Sequence, residues 1–408
     1  MIRFIHSADW QLGARFSQFG AKGTVLREAR LSALKRSLDI ARQRNVDAYI
    51  VAGDLFEDNQ VGDDLVSTVA QMFSDYPTVP IFLLPGNHDP YAGPDSLWMR
   101  RPFAKIPSHI QIIDKAKAID LGGAFLLASP LHQKMSTLDP SLKLCDLAAG
   151  LPADAIKIGV THGALAIEGK HQANDFPIAL NAASRAGLDY LAVGHWHNWL
   201  VDTDGGRIVM PGTPEPDSFD HQRCGYVAYV EIEGQSAAPR IEAVPVAELS
   251  WHELTFDLLS ADASRATLSQ TLSNQAPQAA KSVVRVVLTG AASVAQITET
   301  HQWLDDLLKP FFIGQVSDKS SIALSAVELQ DLQARHPILA QVLADIDQID
   351  LYATSRAPTS ANSGLTPLTL TEAQDLLSPR KITLSALTPE QLTQTRQLLL
   401  QVMQDASS

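Results

Sequence analysis

Pro85-Gly86-Asn87-His88-Asp89-Pro90 is the stretch that decides how this chain is read. It follows Val79-Pro80-Ile81-Phe82-Leu83-Leu84, an apolar run with the length and character of a buried strand. Upstream, Asp9-Trp10-Gln11 and Gly53-Asp54 each close a β-like run of their own. Downstream, Thr161-His162-Gly163 and Gly194-His195-Trp196-His197 do the same. A lone Asn-His-Asp would carry little weight. Five clusters of carboxylate, amide and imidazole donors, each just past an expected strand, point to a divalent-metal centre.

Outward from that stretch, strands are expected over 2–7, 47–52 and 79–84, with helices over 26–44 and 64–75 between them. This is the grammar of a layered α/β domain, in which sites form where loops leave the carboxyl ends of strands. Further strands are expected near 110–113, 124–127, 156–160, 190–193, 208–210 and 226–232. A Gly-, Ser-, Ala- and Pro-rich segment at 233–246 marks the end of a catalytic domain placed at 1–240. Strands over 251–258 and 282–288 and helices over 264–275 and 294–308 make a smaller α+β domain, 247–350, which includes a leucine-rich helix at 327–349. Residues 351–370 read as a flexible linker with little to bury. The tail, 371–408, carries Thr388-Pro389-Glu390-Gln391, a capping box with Pro at the first helical position. The helix it opens bears Leu392, Leu398, Leu399, Val402 and Met403.

With 408 residues the chain exceeds one ordinary core, so two domains and an appendage are expected. Its 45% hydrophobic and 19% charged composition is that of a soluble globular protein. A net charge of −13 argues against a protein that coats nucleic acid, though not against a local basic groove. Residues 1–50 hold nine Lys/Arg against four acids, read here as a solvated helix face. Cys145 and Cys224 are far apart and suggest a reducing compartment without a disulfide framework. The amino terminus runs straight into Asp9, and no apolar run is long enough to span a membrane. A cytoplasmic location is expected.

Phosphodiesters are anionic and very slow to hydrolyse. Two cations about 3.5–4 Å apart neutralise the charge, hold the phosphate in line and acidify a bridging water. Such a pair needs one bridging carboxylate plus mixed imidazole, carboxylate and amide ligands, a set that suits Mn²⁺. Asp54 is the natural bridge.

The order Asp9, Gly53-Asp54, Gly86-Asn87-His88-Asp89, His162 and Gly194-His195-Trp196-His197 resembles the calcineurin-like metallophosphoesterase superfamily. Within it, the SbcD-type DNA exonuclease subunits are most similar. His6-Ser7-Ala8-Asp9-Trp10-Gln11-Leu12-Gly13 resembles their opening motif, and Gly53-Asp54-Leu55-Phe56-Glu57 their second. Pro211-Gly212-Thr213-Pro214, Ser218-Phe219-Asp220 and Gly225-Tyr226 resemble the segment after the last histidine pair. The likeness covers about residues 1–233 well and the rest only in domain order. It implies a layered β-sandwich flanked by helices, with a smaller α+β capping domain and a helical tail.

Carried over residue by residue, the resemblance gives one metal Asp9, Gln11, Asp54 and His197, and the other Asp54, Asn87, His162 and His195. His88 would protonate or stabilise the leaving oxygen, with Asp89 orienting its imidazole. Gln11 stands where the family has His. It either ligates through its amide oxygen, a weaker bond than imidazole makes, or contacts a metal-bound water. No ligand role maps to His6, and Trp10 reads as a packed loop aromatic.

The activity so implied is a two-metal, Mn²⁺-type phosphodiesterase working as a DNA exonuclease or endonuclease in repair. Its partners would be DNA, an SbcC-like coiled-coil ATPase docking on the C-terminal helices, and a second copy of the chain. Two other readings compete: a phosphoesterase for a small substrate, and a catalytically weakened DNA-binding scaffold for the ATPase. The DNA-contacting residues are not assigned, with the basic run Arg100, Arg101 and Lys105 as candidates.

Overall fold

The computed structural model describes residues 1–323 and positions 330, 334–335, 341–342, 344 and 346. The chain forms two compact units. The first comprises Met1–His252 with Gln278–Val283 and Phe311–Ile313. In chain order it contains β1 (Ile2–Ser7), α1 (Lys22–Gln43), β2 (Ala48–Ala52), α2 (Asp63–Ser74), β3 (Ile81–Leu84) and β4 (Ile110–Ile112). Then come β5 (Lys117–Asp120), β6 (Ala124–Ser129), α3 (Leu142–Ala149), β7 (Ile156–His162), α4 (Ala182–Arg185) and β8 (Tyr190–Gly194). It closes with β9 (Leu200–Thr203), β10 (Ile208–Met210), β11 (Tyr226–Ile232) and β12 (Arg240–Pro245).

These strands make two six-stranded sheets, ordered β12-β11-β1-β2-β3-β4 and β5-β6-β7-β8-β10-β9. In the first, β1 runs parallel to β2, Phe4 opposite Ala48, and antiparallel to β11, Ile2 opposite Ile232. Every residue of β2 and β3 is buried, as their unbroken apolar sequences require of strands covered on both faces. Phe4, Ile50 and Phe82 point into the core between the sheets, where they meet Leu126, Ile158 and Tyr190. The opposite face of the first sheet presents Ile5, Tyr49 and Leu83 to Leu34 and Leu38 of α1 and Val69 and Phe73 of α2. On the outer face of the second, Leu127, Leu191 and Val193 pack with Leu144 of α3 and Ala182 and Ala183 of α4. The result is the expected layered α/β arrangement: helices, sheet, sheet, helices. Trp10 is fully buried and its Nε1 donates to Ser7 Oγ at 3.1 Å, so it is a packed aromatic.

The segment at 233–246 is more than a boundary. Arg240–Pro245 pairs antiparallel with β11, Val227 opposite Val244, and the first unit continues to His252. Only Val244 of this edge strand is buried, so its sequence lacks the apolar alternation that announces a strand. The edge strands β5 and β9, and the helices α3 and α4, of eight and four residues, also escaped the sequence reading.

The second unit includes Glu253–Pro277 and Val284–Pro310. Its elements are most of β13 (Ser250–Asp257), β14 (Ser282–Thr289) and β16 (Ile313–Asp318), whose first residues belong to the first unit, together with α5 (Ala261–Gln275), β15 (Ala291–Ala292), α6 (Val294–Leu308) and β17 (Ser321–Ile322). The sheet order β13-β14-β16 with α5 and α6 is the expected small α+β fold. A capping box opens α6, Ser293 Oγ accepting from Gln296 N while Gln296 Oε1 accepts from Ser293 N. Of the helix expected at 327–349, the described positions are helical. The linker at 351–370 and the segment at 371–408 lie outside the described residues.

Candidate metal centre

Every ligand loop sits at the carboxyl end of a strand. Asp9, Asp54 and Asn87 follow β1, β2 and β3 of the first sheet, while His162 ends β7 and His195 follows β8 of the second. Glycines let these loops approach. A Cβ on Gly53 would lie 2.1 Å from His162 Nδ1, one on Gly86 2.1 Å from Asp54 Oδ1, and one on Gly194 2.3 Å from Ala52 O. Asp9, Gln11, Asp54 and His195 take φ of 54°, 40°, 54° and 118°. Side chains in such backbone cost about 1–3 kcal/mol each and persist where surrounding structure imposes them.

Ligand atoms of Asp9, Asp54 and His162 all lie within 4.8 Å of one another. His162 Nδ1 donates to Ala52 O at 2.8 Å, which leaves its Nε2 as an acceptor. That Nε2 faces Asn87 Oδ1 at 2.8 Å and Asp54 Oδ2 at 3.3 Å. Acceptor facing acceptors is satisfied only by a proton or a cation between them. His195 Nδ1 lies 3.1 Å from the same Asn87 oxygen. Its backbone amide donates to both Asp9 oxygens, at 2.9 and 3.0 Å.

The electrostatics agree. Asp9 and Asp54 are 0% and 1% exposed, and neither meets Lys or Arg among the described residues. Burial raises the Asp9 carboxyl. Burial works the same way on Asp54, but the His162 charge and hydrogen bond outweigh it and hold Asp54 well below the usual range. Burial opposes the charge on His162, yet neighbouring Asp54 carries it up to about 9. Buried carboxylates without Lys or Arg beside them are the usual surroundings of a metal ion, which would take the place of the His162 proton, and this donor set fits a divalent one.

The remaining expected residues are placed as follows. His88 N donates to Asp54 Oδ1 at 2.9 Å, and its Nδ1 lies 2.9 Å from Glu57 O, leaving Nε2 without a hydrogen-bond partner among the described residues. Asp89 does not hold that imidazole. Its oxygens accept from Gly86 N at 2.8 Å and Phe56 N at 3.0 Å, bracing the loop backbone, and Glu57 O orients the ring instead. Gln11 is 7% exposed, and its backbone N–H donates to the backbone oxygen of Asp54 at 3.0 Å. His197 Nδ1 lies 3.5 Å from Asp217 Oδ2, and the Asp9 charge also acts on its ring; His197, Asp217 and His221 bring three ligand atoms within 4.8 Å of one another. Arg100 is tied down by Asp63 and the carbonyls of Val61 and Asn59, whereas Arg101 and Lys105 are exposed.

Four residues of this region escaped the sequence reading. Asp175 Oδ2 accepts from His195 Nε2 at 2.9 Å. Asp217 receives Arg30 at 2.8 Å and His221 at 2.6 Å. Arg30 is no solvated-face residue: it is 1% exposed and also donates to Trp10 O at 2.6 Å. Arg30 lies 187 residues from Asp217 and Asp175 lies 20 from His195, separations at which periodicity carries no signal, while Asp217 and His221, four apart, sit in a loop without helical patterning. A cavity of about 530 Å³ opens beside the centre, lined by residues including His195, His197, Trp196, Trp199, Lys170 and His221.

Fold and donor set together describe a two-sheet sandwich whose strand ends offer ligands for divalent cations. Residues 2–199 match the calcineurin-like phosphoesterase family, and this stretch is a calcineurin-like phosphoesterase domain with the α/β fold of that family. Such a domain implies metal-dependent phosphoester hydrolysis. Asp217 and His221 lie beyond the matched stretch. A search of curated proteins returned no match. No helix among the described residues is long and apolar enough to cross a membrane.

Proposed function

We propose that this chain is a two-metal, Mn²⁺-type phosphodiesterase that cleaves DNA as an exonuclease or endonuclease in repair. The observation that carries the hydrolytic reading is the acceptor-lined centre around Asp54, with His88 anchored beside it and its Nε2 unpartnered among the described residues. Preference for DNA rests on the resemblance of 1–233 to SbcD-type subunits. It gains support from the cavity, where Trp196 and Trp199 offer surfaces for bases and Lys170 a charge for phosphate. On the same resemblance the chain works in the cytoplasm as a homodimer, with an SbcC-like coiled-coil ATPase on residues 371–408.

Asp9, Asp54, Asn87, His162 and His195 would hold the cations. A divalent pair supplies charge neutralisation for the phosphodiester and acidifies the attacking water. The chain does the rest. Ala52 O and Asp175 fix the rings of His162 and His195, so that Nε2 of one and Nδ1 of the other serve as donors to metal. With His88 Nδ1–H on Glu57 O, Nε2 is the atom that exchanges a proton with the leaving oxygen.

The test is Mn²⁺-titrated degradation of end-labelled single- and double-stranded DNA by wild type and His88→Ala. Wild type should cleave, and His88→Ala should lose about 10²–10⁴ in rate while still binding Mn²⁺. Hydrolysis of p-nitrophenyl phosphodiesters and nucleotides far better than DNA would replace the nuclease reading with a small-substrate enzyme. No turnover at any Mn²⁺ concentration, with DNA still bound, would leave a scaffold.

A further inference from the structure

We propose that Arg30 is a positioning residue of the metal centre, one guanidinium clamping the loop of Asp9 and Gln11 to the loop that seats His197. The side chain enters from the middle of α1 and is 1% exposed. Its Nη1 donates to Trp10 O at 2.6 Å and reaches Thr213 Oγ1 at 3.5 Å. Its Nη2 donates to Asp217 Oδ2 at 2.8 Å.

Each of these partners touches an expected ligand. Trp10 stands between Asp9 and Gln11, whose φ of 54° and 40° persist only where surrounding structure imposes them. Thr213 N donates to His197 O at 3.0 Å, and a Cβ on Gly212 would lie 2.4 Å from that same oxygen. Asp217 Oδ2 lies 3.5 Å from His197 Nδ1. Backbone and ring of His197 therefore both rest on residues that Arg30 holds.

The rival account is a buried ion pair that only stabilises the fold. Such pairs are a poor source of stability, since well-packed apolar side chains of similar volume often do as well or better. Arg30 also keeps its Nε buried without a hydrogen bond among the described residues, which is costly. What its planar fork supplies is geometry, donors at fixed separation that the single ammonium of lysine cannot reproduce. The inference rests on the metal-dependent phosphoesterase reading, and on the side of the centre where the resemblance places Asp9, Gln11, Asp54 and His197.

Full-length protein stripped of metal is titrated with Mn²⁺ by calorimetry and with Co²⁺ by visible spectroscopy. The variants are Arg30→Lys, which keeps the charge, and Asp217→Asn, which weakens the anchor of Nη2. Arg36→Met is the control: Arg36, on the same helix, likewise holds two carbonyls and a carboxylate, those of Val246, Ala247 and Glu248, none adjacent in sequence to an expected ligand. Circular dichroism and melting check the fold. In Arg30→Lys one of two Mn²⁺ binding steps should weaken about 10–100-fold and part of the Co²⁺ spectrum should change, while the other step stays. Asp217→Asn should move the same step by less, and Arg36→Met should melt earlier with both steps intact. If Arg30→Lys melts earlier yet matches wild type in both affinities and in spectrum, the clamp is structural only; this inference falls and the phosphoesterase reading stands. Should Arg30→Lys not fold, unchanged binding in Asp217→Asn overturns the inference instead. No divalent cation bound by wild type would overturn both.

Discussion

His195 Nε2 donates to Asp175 Oδ2 at 2.9 Å, so an acid 20 residues earlier steers the imidazole at the end of β8. The same hydrogen bond lowers the Asp175 carboxyl, keeping the acceptor ionised when His195 needs it. Carboxylates that grip a ligating imidazole this way typically account for 10–100-fold in metal affinity. Asp175→Asn should weaken Mn²⁺ binding by about that factor with little change in fold. Calorimetry checks it; unchanged affinity would mean the bond is incidental.

Arg30 and Asp217 form a largely buried ion pair, their side chains 1% and 14% exposed. Removing one partner of such a pair typically costs about 3–5 kcal/mol, because the other charge stays behind. His197 and His221 remain beside Asp217, so Arg30→Met should fall at the low end, about 3 kcal/mol. A urea midpoint within error of wild type would contradict it.

Gly86→Ala places a Cβ 2.1 Å from Asp54 Oδ1 and 2.5 Å from Asp54 N. Neither atom can yield without moving the centre. The variant should lose about 1–3 kcal/mol of stability and bind Mn²⁺ measurably more weakly, read by melting and titration. Gly93→Ala is the control: its Cβ meets nothing within 4 Å, though its φ of 79° adds backbone strain. Its Mn²⁺ affinity should be unchanged.

Acid should destabilise the protein through His6. Burial pushes its imidazole down to about 3, so between pH 6.5 and 3 the unfolded chain holds a proton that the folded one does not. Stability from this residue is complete above pH 6.5. It falls as pH drops, by up to about 1.4 kcal/mol per unit, and levels off near pH 3. Glu215 acts in the opposite sense, since burial lifts its carboxyl to about 7 and its contribution declines as pH rises from 4.5. Comparing wild type with His6→Phe isolates the histidine: the variant's urea midpoint should depend less on pH over this range. Parallel curves would remove His6 as the cause.

The layered fold was legible because β2 and β3 are apolar throughout and end in loops that only metal or phosphate chemistry explains. Asp9, Asp54 and His162, which the structure gathers, were readable because each follows a recognisable strand. What stayed hidden depends on pairs between distant loops. Arg30 looked like one more charge on α1, and nothing local announces that it meets Asp217, 187 residues away. Asp89 resembled a histidine orienter by adjacency, yet its geometry spends both oxygens on backbone amides. The edge strand β12 was missed because one buried side chain in six gives no period to detect.

Asp9, Asp54 and Asn87 come from the ends of one sheet, His162 and His195 from the other. Neither sheet alone carries the centre, so the chain cannot be divided between β4 and β5 into an active half and a support. During synthesis β1–β4 emerge first with Asp9, Asp54 and Asn87, β7 and β8 follow with the histidines, and β11 and β12 complete the first sheet last. The donor set is therefore complete only after β8 has been made.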